Sequence, residues 1–277
     1  MYLDGKKCAE SKIGDIRKRV GMLNKKPVLA IIMISEDKAS RTYVNNKIKR
    51  CTEVGIEHEL IELPETVEQS RVEGIIRELN MDDNITGIIL QLPIPEHLDA
   101  SYLGNLIDYR KDVDGFTAIN TGLLSVGRPC LVSCTPKGII ELLDFYNINI
   151  ESKNVLIINR SNIVGKPLVQ LFLQRDATVT VAHSKTKDLR KYIKRADIIV
   201  TAVGIPHFLN FRDFTQGCTI IDVSINFVDG KMCGDVSKYS YGYLDAADCN
   251  ITPVPGGVGQ MTVIALLENI LQIAEHK

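Results

Sequence analysis

The chain has 277 residues, 45% of them hydrophobic and 24% charged, with a formal net charge of −1. Those proportions belong to a globular protein with enough chain for one large or two ordinary domains, and they exclude disorder and fibre. A near-zero charge leaves no broad nucleic-acid footprint, no apolar run reaches the length of a membrane span, and the opening MYLDGKKCAESK lacks the apolar core of a signal peptide, so a cytoplasmic protein without nucleic-acid or membrane partners is expected.

Strand-like and helix-like runs alternate along the chain. PVLAIIMI (27–34) reads as a buried strand, 40–54 as a helix, 56–63 as a second strand, 67–79 as a helix and GIILQL (87–92) as a third strand. This β-α-β-α-β order predicts a parallel sheet and the α/β class. From 112 to 136 the pattern weakens into Gly, Pro and polar residues, and a domain junction is expected there. A second alternation follows: helix 137–146, strand 154–158, helix 165–175, strand 178–182, helix 188–196, then strands 198–203 and 219–223. After PVPGGVGQMT the chain ends in an amphipathic helix over 262–275. The seven cysteines are widely spaced without a CxxC pair, so even the nearest two, Cys130 and Cys134, are expected to be reduced thiols, and no metal site is expected.

In the first half, Ser40, Tyr43 and Lys47 share one helical face beside the apolar stripe of Val44, Ile48 and Cys51. Taken alone, Lys47 reads as a snorkelling surface lysine. Two further segments change that reading. QLPIP, carrying Gln91, follows the carboxyl end of a strand, where α/β proteins place ligand groups. KDVDGF puts Asp112 and Asp114 in the junction without the regular oxygen ligands of a calcium loop, and a capping turn is the reading for Asp112.

In the second half, VLIINRSNIVGKPL has the strand, turn and helix that a nucleotide site needs, although GxGxxG is absent and a plain strand-to-helix loop explains it as well. Gly165 allows close packing or phosphate approach, and Pro167 suits a first helical turn. The next strand ends in AHSK, without the Asp or Glu that grips ribose hydroxyls. Arg160, Ser184 and Lys185 offer instead a positive, hydrogen-bonding setting for a 2′-phosphate, which favours NADP.

SRTYVNNK, QLPIP, KDVDGF, CTPKG, RSNIVGKP, AHSKT and TPVPGGVGQMT, in this order over nearly the whole chain, resemble the bifunctional methylenetetrahydrofolate dehydrogenase/methenyltetrahydrofolate cyclohydrolase family. The resemblance implies an N-terminal α/β folate-binding domain over 1–125, a Rossmann-like dinucleotide-binding domain over 126–261, and a C-terminal helix, 262–277, packing back on the first domain. It implies that Lys47 is the central catalytic lysine, supported by Gln91, with Tyr43 stacked on the p-aminobenzoate part of folate beside Ser40, and Asp114 on the pterin ring. Pro255, Gly256 and Gly257 would line the folate cleft, while Arg160, Ser161, the turn of Ile163, Val164 and Gly165, Ser184 and Lys185 would hold the dinucleotide. A homodimer is also implied.

Two positions depart from the family pattern. Asn159 stands where glycine is common; asparagine tolerates positive φ, and it adds a side chain beside the phosphates. Gln260 replaces the proline of the final motif, with an expected effect on loop rigidity.

The implied reactions are consecutive: hydride loss from 5,10-methylenetetrahydrofolate to NADP, then hydrolysis of the methenyl cation to 10-formyltetrahydrofolate. Hydride transfer needs geometry and no base, because two nitrogens stabilise the cation. Hydrolysis needs proton removal from water. A lysine acting as base must come down from an ordinary pKa of about 10.4 to near 7, whereas a protonated lysine can polarise an oxygen unchanged. The sequence leaves both open. Two alternatives stand beside the bifunctional reading: a dehydrogenase without cyclohydrolase activity, and a non-catalytic nucleotide-binding protein.

Overall fold

A helix precedes every element expected from the sequence. In the computed structural model, which describes residues 1–34 and 37–276, α1 (Gly5–Met22) buries Cys8, Ala9, Ile13, Ile16 and Val20, a helical spacing. Next come β1 (Val28–Met33), α2 (Lys38–Val54), β2 (Glu57–Glu62), α3 (Gln69–Met81) and β3 (Gly87–Gln91). α4 (Ala100–Leu106), α5 (Ala118–Ser125) and α6 (Cys134–Phe145) follow. The remainder is β4 (Asn154–Ile158), α7 (Gly165–Leu173), β5 (Thr178–Ala182), α8 (Leu189–Ile193), β6 (Ile198–Thr201), β7 (Thr219–Asp222), the hairpin β8 (Asn226–Val228) and β9 (Lys231–Cys233), α9 (Tyr241–Ala246), β10 (Asn250–Ile251) and α10 (Val258–Glu275).

The chain forms two compact units. One comprises Ser11–Cys134 and Val263–Lys277, the other Met1–Glu10 and Thr135–Thr262. In the first unit the strands are parallel in the order β2-β1-β3, with Ile31 opposite Leu60 and Ile89. β1 is buried from Leu29 onward, as a central parallel strand must be. β2 carries Glu57, His58 and Glu59 on exposed positions, which suits an edge. Ile32, Ile34, Val72, Ile76, Ile88 and Leu103 form the heart of the core between sheet and helices. The C-terminal part of α10 belongs to this unit, and the buried Asn269 donates to the carbonyls of Val113 and Val132 at 2.8 Å each.

The second unit holds five parallel strands in the order β10-β7-β6-β4-β5, with helices between them. The order reverses between β4 and β6, and in such sheets ligands bind outside the carboxyl ends of the strands at that point.

Several limits differ from the expected ones for local reasons. α2 starts at Lys38 because the Asp37 carboxylate caps the amide of Ser40 at 2.8 Å. The weakly patterned stretch contains α5, capped by the Thr117 hydroxyl. α6 begins at Cys134 with Pro136 in its first turn, where proline costs no hydrogen bond. α10 begins at Val258, since Gly256 is the last residue with a left-handed backbone, φ +108°.

Candidate active site and dinucleotide site

α2 presents Ser40, Tyr43 and Lys47 over about two turns, while Val44, Cys51 and Val54 anchor the helix in the core. Lys47 is half-buried, and its Nζ donates to Gln91 Oε1 at 3.0 Å. Gln91 closes β3, and its Nε2 donates to the Leu92 carbonyl at 2.7 Å. That second bond fixes which end of the amide faces the lysine. Ser40 is buried, whereas Tyr43 keeps 47% of its surface exposed.

Asp114 reaches the same place from the far side of β3. Its segment is joined to that strand by a parallel bridge between Ile88 and Asp112. The turn at Gly115 has φ +67°, and a Cβ there would lie 2.5 Å from the Ser133 amide, so only glycine fits. Burial pushes the Asp114 carboxyl above its ordinary value; Lys47 opposes this, Asp112 reinforces it, and the Cys134 thiol, 3.7 Å from Oδ1, opposes it. Lys47, Gln91 and Asp114 are thus one electrostatic cluster, with Tyr43 and Ser40 on the adjoining helix face. Cys51, one turn past Lys47, is held as a thiol by burial, its pKa pushed up to about 12.

Asp112 is the capping residue the sequence indicated: its Oδ2 accepts from the Thr117 amide at 2.8 Å and from Asn120 Nδ2 at 3.0 Å. Sequence reasoning missed Asn269, which holds the carbonyl just before Asp114, and the bond from Cys134 to Asp114. The signal for Asn269 was a lone amide on an otherwise apolar helix face. A cavity of about 520 Å³ lined by Asn80, Tyr109, Lys111, Cys130 and Gln272 lies toward the other end of β3 and takes no part in this cluster.

In the second unit, β4 and β5 pair in parallel with Ile158 opposite Ala182, so their carboxyl-end turns leave the sheet side by side. One turn carries Arg160 and the other Ser184 and Lys185, all exposed. No acidic side chain occurs from 182 to 187. This donor set fits the 2′-phosphate of NADP and holds no carboxylate to accept from ribose hydroxyls. His183 shapes its turn by accepting the Lys185 amide on Nδ1 at 3.1 Å and donating its own amide to Thr186 Oγ1 at 2.9 Å.

The turn after β4 works differently from the expectation. Asn159 does not take positive φ. Its side chain closes the turn instead: Oδ1 accepts from the amides of Ser161 at 2.7 Å and Gly165 at 3.1 Å, and Nδ2 donates to the Ala202 carbonyl at 2.6 Å. The Val164 amide is taken by Ser161 Oγ, and that of Lys166 by the Ser161 carbonyl. Much of the first turn of α7 is therefore satisfied internally. Gly165 packs tightly here, since a Cβ would lie 2.4 Å from the Asn159 carbonyl oxygen. Ile163 is exposed and Val164 half-buried at the same turn.

Gly256 and Gly257 sit against the start of α1. The Gly256 carbonyl accepts from the Gly5 amide at 2.9 Å, and a Cβ on Gly257 would lie 2.6 Å from the Pro253 carbonyl oxygen. Pro255 beside them is exposed. Gln260 lies in the first turn of α10, not in a loop, and its amide donates to the Gly257 carbonyl at 3.2 Å, a bond proline could not make.

Residues 3–114 match the family described as tetrahydrofolate dehydrogenase/cyclohydrolase, catalytic domain, and residues 133–277 match its NAD(P)-binding domain. The chain is 48% identical over 270 residues to the bifunctional protein FolD of Acholeplasma laidlawii, covering 98% of this chain and 96% of that protein. It is 45% identical over 280 residues to the protein of the same name from Bacillus cytotoxicus, covering 100% and 97%. Among solved structures, the bifunctional enzyme FolD, a methylenetetrahydrofolate dehydrogenase/cyclohydrolase from Campylobacter jejuni, superimposes with a TM-score of 0.97 at 38% identity, over 100% of this chain and 99% of that one. The Trypanosoma brucei methylenetetrahydrofolate dehydrogenase-cyclohydrolase complexed with NADP cofactor and inhibitor gives 0.92 at 32% identity, over 100% and 97%.

Proposed function

Because the chain belongs to the tetrahydrofolate dehydrogenase/cyclohydrolase family, we propose that it oxidises 5,10-methylenetetrahydrofolate with NADP and hydrolyses the resulting 5,10-methenyl cation to 10-formyltetrahydrofolate. Folate chemistry belongs to the first unit in this reading, and the dinucleotide to the second. The observation that carries it is the Lys47–Gln91 hydrogen bond beside Asp114, because hydride transfer alone does not require an oriented amine.

Bound NADP supplies the hydride acceptor. Arg160, Ser161, Ser184 and Lys185 hold its phosphates, and the Ile163–Val164–Gly165 turn packs beside them. Tyr43 stacks on the p-aminobenzoate part of the folate, Ser40 lies beside it, and Asp114 hydrogen-bonds the pterin.

In the hydrolytic step water adds to the methenyl carbon, the bond from that carbon to N5 breaks, and of the two protons of water one ends on N5 and the other is released. Gln91 Oε1 takes one N–H of Lys47 and so aims the rest of the amine. A neutral amine accepts a proton from the water; an ammonium donates to the developing oxygen. The hydrogen bond to Gln91 serves either form, since both retain an N–H to donate.

The same proposal takes the enzyme as a cytoplasmic homodimer. No helix among the described residues is long and apolar enough to cross a membrane. Sedimentation checks the dimer.

Purified protein given methylenetetrahydrofolate and NADP is expected to form NADPH, and given methenyltetrahydrofolate alone to consume it. NADPH formation with methenyl accumulating at the uncatalysed rate of hydrolysis would leave a dehydrogenase only. Cofactor binding with neither turnover would leave a nucleotide-binding protein.

A further inference from the structure

Under the carboxyl ends of β6 and β7 lie two carboxylates, Asp222 and Asp235, with 1% and 0% of their surfaces exposed. Asp235 stands just after β9 and reaches back to both strand ends. Its Oδ2 accepts from Thr201 Oγ1 at 2.8 Å, the Val203 amide at 2.7 Å and Ser224 Oγ at 2.8 Å. Its Oδ1 accepts from the amides of Gly204 at 3.1 Å and Ile205 at 3.0 Å, and from Asn226 Nδ2 at 3.3 Å. One carboxylate thus ties together the end of β6, the loop after it and the loop after β7.

Asp235 is itself held firmly. Asp222 accepts its amide at 3.1 Å and that of Val236 at 2.8 Å. Gly234 must be glycine, because a Cβ there would stand 2.0 Å from Asp222 Oδ2. On the other flank the Asp235 carbonyl accepts from the Leu209 amide at 3.0 Å.

The direction of the dinucleotide follows from the sheet. The basic, acid-free turns that suit a 2′-phosphate leave β4 and β5, on one side of the reversal in strand order. A dinucleotide bound across that point therefore ends over β6 and β7. In a trans peptide the C=O points away from the N–H. With the amides of Val203, Gly204 and Ile205 turned inward to Asp235, the carbonyls of Val203 and Gly204 point away from it, on a loop where Val203 is half-buried and Gly204 and Ile205 are exposed, and a carboxamide can donate to them. The Ala202 carbonyl, opposite the Val203 amide, is already taken by Asn159, so one peptide links the phosphate turn to Asp235.

We infer that Asp235 is a positioning residue of the dinucleotide site: its buried carboxylate sets the loop over 203–205 and Ser224 so that they receive the nicotinamide half of NADP. This rests on the NADP reading above. The test is calorimetric titration of wild type and Asp235→Asn with NADP and with 2′,5′-ADP, which lacks the nicotinamide half, with circular dichroism to confirm folding. An asparagine would turn an NH2 toward amide and hydroxyl donors and expel the loop. NADP affinity is expected to fall about tenfold or more while that for 2′,5′-ADP changes less than about twofold. If Asp235→Asn does not fold, Ser224→Ala, which deletes one donor, carries the test, with an expected loss of about threefold for NADP only. Equal losses for both ligands, or none for either, would overturn the inference. Failure of the wild type to bind NADP would instead remove the functional reading beneath it.

Discussion

The Nζ of Lys47 donates to the Oε1 of Gln91 across 3.0 Å, joining α2 to the carboxyl end of β3. The bond gives the amine a fixed direction beside Asp114, and in the proposed function hydrolysis of the methenyl cation uses that direction. Lys47→Met is expected to lower methenyltetrahydrofolate hydrolysis by about 10²-fold or more while the protein stays folded, since general acid–base groups contribute about 10² to 10⁴. Hydrolysis close to wild type, followed by the loss of methenyl absorbance, would refute the role given to Lys47.

The Asp114 carboxylate accepts from the Cys134 thiol, and the carbonyl just before it, that of Val113, accepts from Cys134 and Asn269. Asp114→Ala is expected to weaken folate binding by about 1.5–3 kcal/mol, the loss of a charge-assisted hydrogen bond, and to change dinucleotide binding little. Titration of the variant with each ligand separately checks this. Unchanged folate affinity counts against the assignment.

The basic turns after β4 and β5 favour NADP over NAD. Discrimination of about 2–3 kcal/mol gives a kcat/KM ratio on the order of 30 to 150. Arg160→Ala is expected to erode most of that preference through NADP, leaving NAD nearly unchanged. Parallel kinetics with both cofactors decide the matter, and undiminished preference in the variant sinks the placement of Arg160.

Asp222 gives the fold a pH dependence. Burial, chiefly, pushes its carboxyl up to about 7, against amide donors from Val236, Asp235 and Ser224 and with the Asp235 carboxylate adding to the rise. Tyr241, itself pushed up to about 12, also faces it. The native state therefore keeps a proton that the unfolded chain has released above about pH 4, and stability falls as pH rises from there through about 7. A difference of about 3 in pKa corresponds to at most about 4 kcal/mol. Denaturant unfolding at pH 5.5 and pH 8 (conditions about one unit or more either side of that value) should show this loss, and Asp222→Asn should flatten it. A variant with the wild-type slope would exclude Asp222 as its source.

The β-α alternation was legible because a buried strand and a half-buried helix each leave a local period in the sequence. β4 and β5 have the limits expected, and Ser40, Tyr43 and Lys47 share a face because their spacing alone requires it. α1 escaped notice: its buried set is interrupted by Lys6, Lys7, Glu10, Lys12 and Asp15, and it follows no strand.

The amino-acid sequence by itself determined which chemistry-bearing residues sit on which local element, and the acid-free end of β5 that points to NADP. Only the tertiary structure decided what those residues bond to. Gln91 meets Lys47 from 44 residues away. Asn159 acts through its side chain, closing its turn and gripping Ala202, and Asp235 reaches β6 from beyond β9. Periodicity records that a face is buried. Which distant donor meets which acceptor depends on how the sheet order closes, because hydrogen bonds fall off within tenths of an ångström and no local pattern carries that distance.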